Sequence, residues 1–355
     1  MVDATPDSRR TAPPSWGRHP RRGTGAAPAV PVRCASSANP ARRGTTAVIL
    51  VVVDLPTAGP GPLLRPALLG AGITDDELRR LRRRGELAPL AAGAYVDPAD
   101  PRLRRPGSRH ALLVAAALPR VAADAVVSHV SAAVLHGLPV WDVPLGRVHT
   151  TRPRRSGGLR TGRLHVHTAP LDPEDVVDLA GTAVTSVERT LLDLGRTVGF
   201  EQAVVPTDAA RRRHLTDRAA LLAALGRVAR WPGAPRARRV VAFADPGADG
   251  VGESRSRVAM ARFGVLPPVL QWPVVGPDGR VLGTADFGWP EHGVAGEFDG
   301  LVEYGRLVRA GQVPADVLVD EKRREDAMRS VLRGVVRWTW GELGEFTAVA
   351  GRLPR

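Results

Sequence analysis

Four acidic residues in the C-terminal third of the chain are spaced as ligands of a divalent metal would be. Asp286 closes one predicted strand, in T-A-D-F-G-W-P, while Glu297 and Asp299 close the next, in G-E-F-D-G. Residues two apart on a strand share a face, so Glu297 and Asp299 should project together beside Asp286. Glu253, in the first turn of a predicted helix, could reach the same place. Such oxygen ligands suit Mg²⁺ or Mn²⁺, which would neutralise charge and activate water for phosphodiester hydrolysis.

The alternative for these acids is a set of solvated strand ends. The sequence A-D-F-G-W favours a metal site, because it seats Asp286 on a strand anchored by the bulky Phe287 and Trp289.

The single lysine of the chain is a further candidate. The other 49 basic residues are arginines, which stay charged, whereas Lys322 can shift its pKa and take part in proton transfer. In E-K-R-R-E-D-A on a predicted helix, Lys322 could stabilise charge or position water at the metal. The simpler alternative is a helix-surface ion pair with Glu325 or Asp326, which would contribute about 0.2 to 0.5 kcal/mol.

The elements that would carry these residues follow the order αβββαβ. The pattern predicts a helix over Glu253–Phe263 and a P-D-G turn between the first two strands. The other predicted elements are strands at Val269–Val275, Arg280–Trp289, Gly293–Asp299 and Gly334–Trp340, and a helix at Pro314–Leu332.

This order, with an acid ending the second strand and acids ending the third, resembles the core of the restriction-endonuclease-like superfamily. The resemblance covers residues 249–355 and is strongest to the very-short-patch-repair-like branch. It implies a PD-(D/E)XK nuclease, with Asp286 as the first acid and Glu297 as the second. The chain departs from that motif, because Asp299 occupies the lysine position and Glu303 a nearby position that can be basic. Lys322 would then supply the missing ammonium.

The segment that begins at Pro62 is patterned as two short helices and a hairpin. Pro62–Leu69 predicts the first helix, and Thr74 with Glu77 forms a capping box that opens a second helix ending at Arg84. Glu86–Val96 predicts two short strands. Two helices, a glycine-containing turn and a hairpin are typical of a winged helix-turn-helix.

The second of these helices is rich in arginine. Leu78 and Leu81 would face its core. The positions around them are basic: Arg79, Arg80, Arg82, Arg83 and Arg84. These guanidinium groups could contact the phosphates and base edges of DNA. The alternative is a solvated helix face in a chain whose arginine content partly follows a GC-rich coding sequence.

Residues 62 to about 220 resemble the AbiEi-type antitoxin family. The resemblance is carried by T-D-D-E-L-R-R-L-R-R-R-G-E-L, G-A-Y-V, V-V-S-H-V-S-A-A-V-L-H-G-L, R-L-H-V-H-T-A-P-L and V-T-S-V-E-R-T-L-L-D-L. It implies operator binding by the winged helix, autoregulation of an operon and a cognate toxin as partner. A non-enzymatic regulator or antitoxin of a type IV toxin-antitoxin-like system, with a decayed nuclease fold, is therefore the rival function. Asp299 and Glu303 favour that rival.

The middle segment is patterned as mixed α/β and contains histidines at strand spacing. His165 and His167 lie two apart on the predicted strand Arg163–Thr168, so they share a face and could ligate a metal. No third ligand stands at a recognisable spacing, and an exposed strand face is the preferred explanation.

A hydrolytic triad of Ser128, His129 and Asp193 is set aside. The chain has no G-x-S-x-G nucleophile motif. Neighbouring residues on a helix also point in different directions, which would separate Ser128 from His129.

Composition limits the class of protein. The chain has 355 residues, a formal net charge of +14 and one cysteine, Cys34, which excludes a disulfide scaffold and a cysteine-based zinc finger. The apolar run Ala47–Val53 is far shorter than the roughly 20 residues that span a bilayer. These features predict a soluble, cytoplasmic protein without a membrane partner.

The predicted fold is a multidomain α+β or α/β protein. Residues 1–61 lack periodicity and are rich in Pro, Arg and Gly, which predicts a disordered basic tail. The alternative is an over-extended start codon. The remaining units are a winged helix-turn-helix at 62–105, an AbiEi-like α/β domain at 106–230 and a restriction-endonuclease-like domain at 249–355. Trp231–Arg238, in W-P-G-A-P-R-A-R, is a candidate linker.

Overall fold

Helices and several sheets make the fold mixed α+β, as predicted. The structure is a computed structural model that describes residues 60–300 and 326–355. The predictions for the basic tail, for Glu303 and for Lys322 lie outside these ranges. No helix among the described residues has the length and apolar character needed to cross a bilayer.

The first described unit combines two short helices with a three-stranded antiparallel sheet of order β1-β3-β2. Thr74 caps the second helix as predicted: its hydroxyl accepts the Glu77 backbone N–H at 3.2 Å, and its own N–H donates to the Glu77 carboxylate at 2.8 Å. The elements are β1 (Leu63–Leu64), α1 (Arg65–Gly70), α2 (Asp75–Arg83), β2 (Ala88–Ala91) and β3 (Ala94–Val96). Leu68, Leu78, Leu87 and Tyr95 form its core.

A six-stranded mixed sheet of order β6-β7-β5-β4-β9-β8 follows. Its strands are β4 (Val126–Val127), β5 (Val148–Arg152), β6 (Leu159–Arg160), β7 (Leu164–Thr168), β8 (Val176–Leu179) and β9 (Thr182–Thr185). Two helices supply apolar residues to the core beside this sheet, α3 (Pro106–Ala117) and α4 (His129–Leu135).

Four further helices complete the middle of the chain. They are α5 (Val187–Thr197), α6 (Phe200–Arg212), α7 (Arg218–Arg227) and α8 (Ala234–Phe243). The predicted linker at Trp231–Arg238 was wrong, because α8 begins inside it. Gly233 adopts a left-handed conformation (φ 82°) before the helix, and Pro235 lies in the first turn, where the missing N–H costs no hydrogen bond. Glycine and proline therefore mark a helix start here.

The C-terminal sheet has order β10-β11-β12-β13, antiparallel except for the parallel β12–β13 pair. Its elements are α9 (Val251–Arg262), β10 (Val269–Val275), β11 (Val281–Trp289), β12 (Val294–Asp299), β13 (Gly334–Thr339) and α10 (Thr347–Ala350). Predicted and observed strands agree to within a residue. Of the predicted helix Pro314–Leu332, residues 326–332 are described: residues 326–329 are helical, whereas 330–332 are not, so the helix ends three residues earlier than predicted.

Helix α9 joins this sheet to the middle of the chain. Buried Asp208 of α6 accepts hydrogen bonds from Ser254 and Arg257, both at 2.8 Å. The Arg255 guanidinium lies 4.1 Å from the ring centroid of Trp141 and 5.5 Å from that of Trp340. These contacts fix the helix that carries Glu253.

Candidate functional site

Asp286 sits where the β11–β12 ladder stops. The last paired residues are Phe287 and Gly296. Beyond this pair a side chain takes over the contact between the two strands: Asp286 Oδ2 accepts the backbone N–H of Phe298 at 2.8 Å. The half-buried carboxylate thus joins the interior of β11 to the end of β12.

Glu253 approaches the same place from α9. A Cβ at the preceding residue, Gly252, would lie 1.9 Å from the Phe298 ring, so only glycine lets the first turn of α9 come this close to β12. The Oε2 of Glu253 accepts the Asp249 backbone N–H at 2.8 Å and the Gln271 side-chain amide at 3.1 Å. Gln271 lies between Leu270 and Trp272, which pair with Phe287 and Ala285, the two neighbours of Asp286 on β11. The structure therefore brings Glu253 and Asp286 together.

The pKa of Glu253 is raised to about 7, mainly by burial and also by the nearby charges of Asp286 and Asp249, while its hydrogen bonds act in the opposite direction. A desolvated carboxylate beside a second one is destabilised when both are ionised. A divalent cation between them would remove that repulsion, which makes the pair a candidate metal position.

Glu253→Gln should flatten the pH dependence of stability in EDTA. The folded chain keeps a proton on Glu253 up to about pH 7, whereas the ordinary pKa is 4.5. The unfolded chain binds fewer protons in this window, so unfolding free energy falls with rising pH, by up to about 3 kcal/mol. Urea unfolding of the wild type and of Glu253→Gln from pH 4 to 8 measures this fall in unfolding free energy, and Glu291→Gln at an exposed acid is the control. An unchanged slope in Glu253→Gln would refute the assignment.

Glu297 has a different surrounding from the other acids. It is buried and lies beside Arg337 in the parallel β12–β13 register. Its Oε2 accepts a hydrogen bond from Arg337 Nε at 2.8 Å and lies 2.6 Å from Nη2 of the same guanidinium. A guanidinium therefore neutralises the acid that the sequence assigns to the metal. Asp299 ends the same strand, half-buried.

The four predicted metal ligands do not form a compact cluster. In residues 60–300 and 326–355, the group of potential ligand residues whose donor atoms lie within 4.8 Å of one another consists of histidines, not of these acids. The Glu253 and Asp286 pair is what remains of the predicted carboxylate site in this part of the chain.

The predicted DNA-contacting arginines lie on one exposed helix. Leu78 of α2 is buried, and the arginines around it are exposed: Arg79, Arg80, Arg82 and Arg83. Arg79 pairs with Asp76, and the Arg82 guanidinium lies 6.0 Å from the Tyr95 ring centroid. Arg80 and Arg83 form no ion pair with any residue that the structure describes.

The Ser128, His129 and Asp193 side chains do meet, contrary to the argument from helix geometry. Ser128 precedes α4 in an extended conformation, which lets its hydroxyl lie 3.0 Å from His129 Nδ1. Asp193 Oδ2 lies 4.0 Å from that same nitrogen. A triad needs serine and acid at opposite ring nitrogens, and Ser128 is fully buried. The three residues therefore do not form a hydrolytic site.

His165 and His167 were predicted to form an exposed strand face, but both are half-buried and a third histidine joins them. His149 lies on β5, directly opposite His165 on β7. Sequence spacing gave no sign of it, because His149 and His165 are sixteen positions apart in the chain and meet only when β5 and β7 pair.

No protein-family model matches the chain. Two curated relatives, the uncharacterized proteins MT2308 and Rv2248 of Mycobacterium tuberculosis, are each 26% identical over 160 residues. These residues are 41% of this chain and 59% of each relative, so the chain spans about 59% of the relatives' length. The crystal structure of RV2827C protein from Mycobacterium tuberculosis matches with a TM-score of 0.33 at 17% identity, covering 56% of this chain and 75% of that one.

Proposed function

We propose that the protein binds DNA and hydrolyses its phosphodiester bonds with a divalent metal, Mg²⁺ or Mn²⁺, in the C-terminal sheet. The observation that carries the proposal is the position of Asp286: it is held at the end of the β11–β12 ladder by the Phe298 N–H, with buried Glu253 beside it. Among the described elements, α9 and the strands β10 to β13 follow one another in the order that the nuclease resemblance predicts, which supports the proposal.

In this proposal Glu253 and Asp286 hold the metal. The metal would supply charge neutralisation and a more acidic bound water. Glu297 positions Arg337 through a hydrogen bond and an ion pair, and the guanidinium can stabilise negative charge on a phosphoryl oxygen. Lys322 is the second proposed cation. Cleavage of plasmid DNA that requires Mg²⁺ or Mn²⁺ and stops in EDTA tests the activity.

Helix α2 is the proposed DNA-contacting element, as the second helix of a winged helix-turn-helix. Its exposed arginines carry positive charge on a short, capped helix next to the β2–β3 hairpin. Phosphate contacts of this kind give salt-sensitive affinity, because each neutralised phosphate releases counterions.

The double variant Arg80→Ala, Arg83→Ala should weaken DNA binding and reduce its salt dependence. Loss of two phosphate contacts lowers the slope of log K against log salt by about 1.8. Fluorescence anisotropy with labelled duplex DNA across a salt series measures both effects. Arg230→Ala, Arg238→Ala is the matched control, since it removes the same charge from two exposed positions elsewhere. Equal slopes in the two double variants would exclude α2 as the contact surface.

The second candidate is a DNA-binding regulator or antitoxin whose nuclease fold has lost activity. The Glu297–Arg337 ion pair and the acid at position 299 favour it. This candidate expects the same α2-dependent DNA binding with no cleavage in any metal, and a cognate toxin as partner.

A further inference from the structure

Four histidines gather on one face of the six-stranded sheet. In the parallel β5–β7 register His149 stands opposite His165, and His167 follows two residues along β7, so the three side chains leave the same face. His129, at the start of α4, stacks on His167 with ring centroids 3.7 Å apart. The His165 and His167 rings lie 3.8 Å apart.

Ring nitrogens of three of these histidines converge. His149 Nδ1 lies 3.1 Å from His167 Nε2. One nitrogen from each of His149, His165 and His167 lies within 4.8 Å of those of the other two. Two nitrogens bound to one tetrahedral Zn²⁺ at about 2.0 to 2.1 Å would be about 3.3 Å apart. The observed spacing of the closest pair is thus near that of two ligands sharing an ion.

We propose that His149, His165 and His167 form a zinc site. Imidazole nitrogens suit Zn²⁺ better than Mg²⁺, which takes oxygen ligands. Three histidines leave the fourth tetrahedral position for water or another oxygen ligand, a donor set typical of catalytic rather than closed structural zinc. This site belongs to the middle of the chain and does not depend on the proposed nuclease.

The surroundings of the cluster suit a metal that carries an anionic ligand. The three imidazoles are half-buried, and the charges of Arg160 and Arg147 act on His165. Positive charges at this distance favour an anionic fourth ligand such as hydroxide, and a metal binds imidazole through the lone pair of the neutral ring.

Contacts behind the cluster fix its geometry. The backbone N–H of His149 donates to Ser131 Oγ at 2.8 Å, and Ser131 is itself 2.8 Å from His110 Nε2. His129 is buried with φ 52°, an unfavourable backbone conformation for a non-glycine residue. We assign His129 as a positioning residue that limits rotation of the His167 ring.

The test is metal binding by the full, tag-free chain, since a histidine tag would bind the same ions. Co²⁺ is titrated into EDTA-treated, desalted protein and followed by visible absorption, and Zn²⁺ is then added in competition. The variants are His165→Asn and His149→Gln, with His292→Asn at an exposed histidine as the matched control. Circular dichroism checks that each variant is folded.

The proposal expects one equivalent of Co²⁺ with the intense absorption of four-coordinate cobalt, and its displacement by Zn²⁺. Affinity should fall at least about tenfold in each ligand variant, since loss of an outer-shell partner alone costs that much, and stay unchanged in His292→Asn. Two results would overturn it: no four-coordinate spectrum in the wild-type chain at micromolar metal, whatever the variants do, or wild-type affinity in His165→Asn and His149→Gln.

Discussion

Asp286→Asn is expected to reduce metal-dependent DNA cleavage at least about 100-fold, the upper end of what loss of even an outer-shell metal partner costs. Asparagine keeps an oxygen that can accept the Phe298 N–H, so the strand end that holds the side chain should be preserved. What the substitution removes is the negative charge facing Glu253 and the proposed cation. Initial rates of plasmid nicking in Mn²⁺ and Mg²⁺ measure the loss.

Asp278→Asn is the matched control for this substitution. Asp278 is an exposed acid in the turn between β10 and β11, on the same sheet but away from the ladder end. The Asp278→Asn variant should cleave plasmid DNA at the wild-type rate. Similar rates in Asp286→Asn and the wild type would remove Asp286 from the chemistry, and equal losses in both variants would point to a general effect of charge on DNA binding.

Arg189→Met is expected to lower the free energy of unfolding by about 3 to 5 kcal/mol, the usual cost of breaking a buried ion pair from one side. The guanidinium is almost fully buried and bonds Asp193 at 3.0 Å and Asp175 at 2.8 Å. It also lies 4.6 Å from the Trp231 ring centroid. Methionine keeps much of the volume but leaves the buried carboxylates of Asp175 and Asp193 with less positive charge beside them.

Burial already raises the pKa of Asp193, and Arg189 is among the charges that oppose this rise. Urea unfolding at pH 7 measures the change in stability. Arg227→Met is the control, because Arg227 bonds Asp175 from a position that is 38% exposed and should cost less than about 1 kcal/mol. If Arg189→Met lowered the free energy of unfolding no more than Arg227→Met, the buried ion pairs of Arg189 with Asp175 and Asp193 would not be what stabilises the middle of the chain.

Local patterns predicted the C-terminal elements well. The strand Val269–Val275 was predicted to the residue, because an apolar run bounded by turn residues specifies a strand without reference to its partners. The capping box at Thr74 and Glu77 likewise set the start of α2. Both signals depend on residues close together in sequence.

Long-range pairing was not predictable in the same way. The ion pair between Glu297 and Arg337 joins neighbouring strands that lie forty residues apart in the chain. The β5–β7 register brings His149 to His165, and neither strand alone indicates it. Helix α8 was missed for a different reason, since its alanines and arginines follow a Gly-Pro stretch that also fits a linker.

The most direct test of the central claim is whether the wild-type chain converts supercoiled plasmid to nicked or linear DNA in Mn²⁺ or Mg²⁺, beside the same protein in EDTA and a parallel preparation of the double variant Glu253→Gln, Asp286→Asn. We predict cleavage that requires the metal and both carboxylates. Salt-sensitive DNA binding without cleavage in either metal would contradict the nuclease proposal and leave the regulator as the function of the chain.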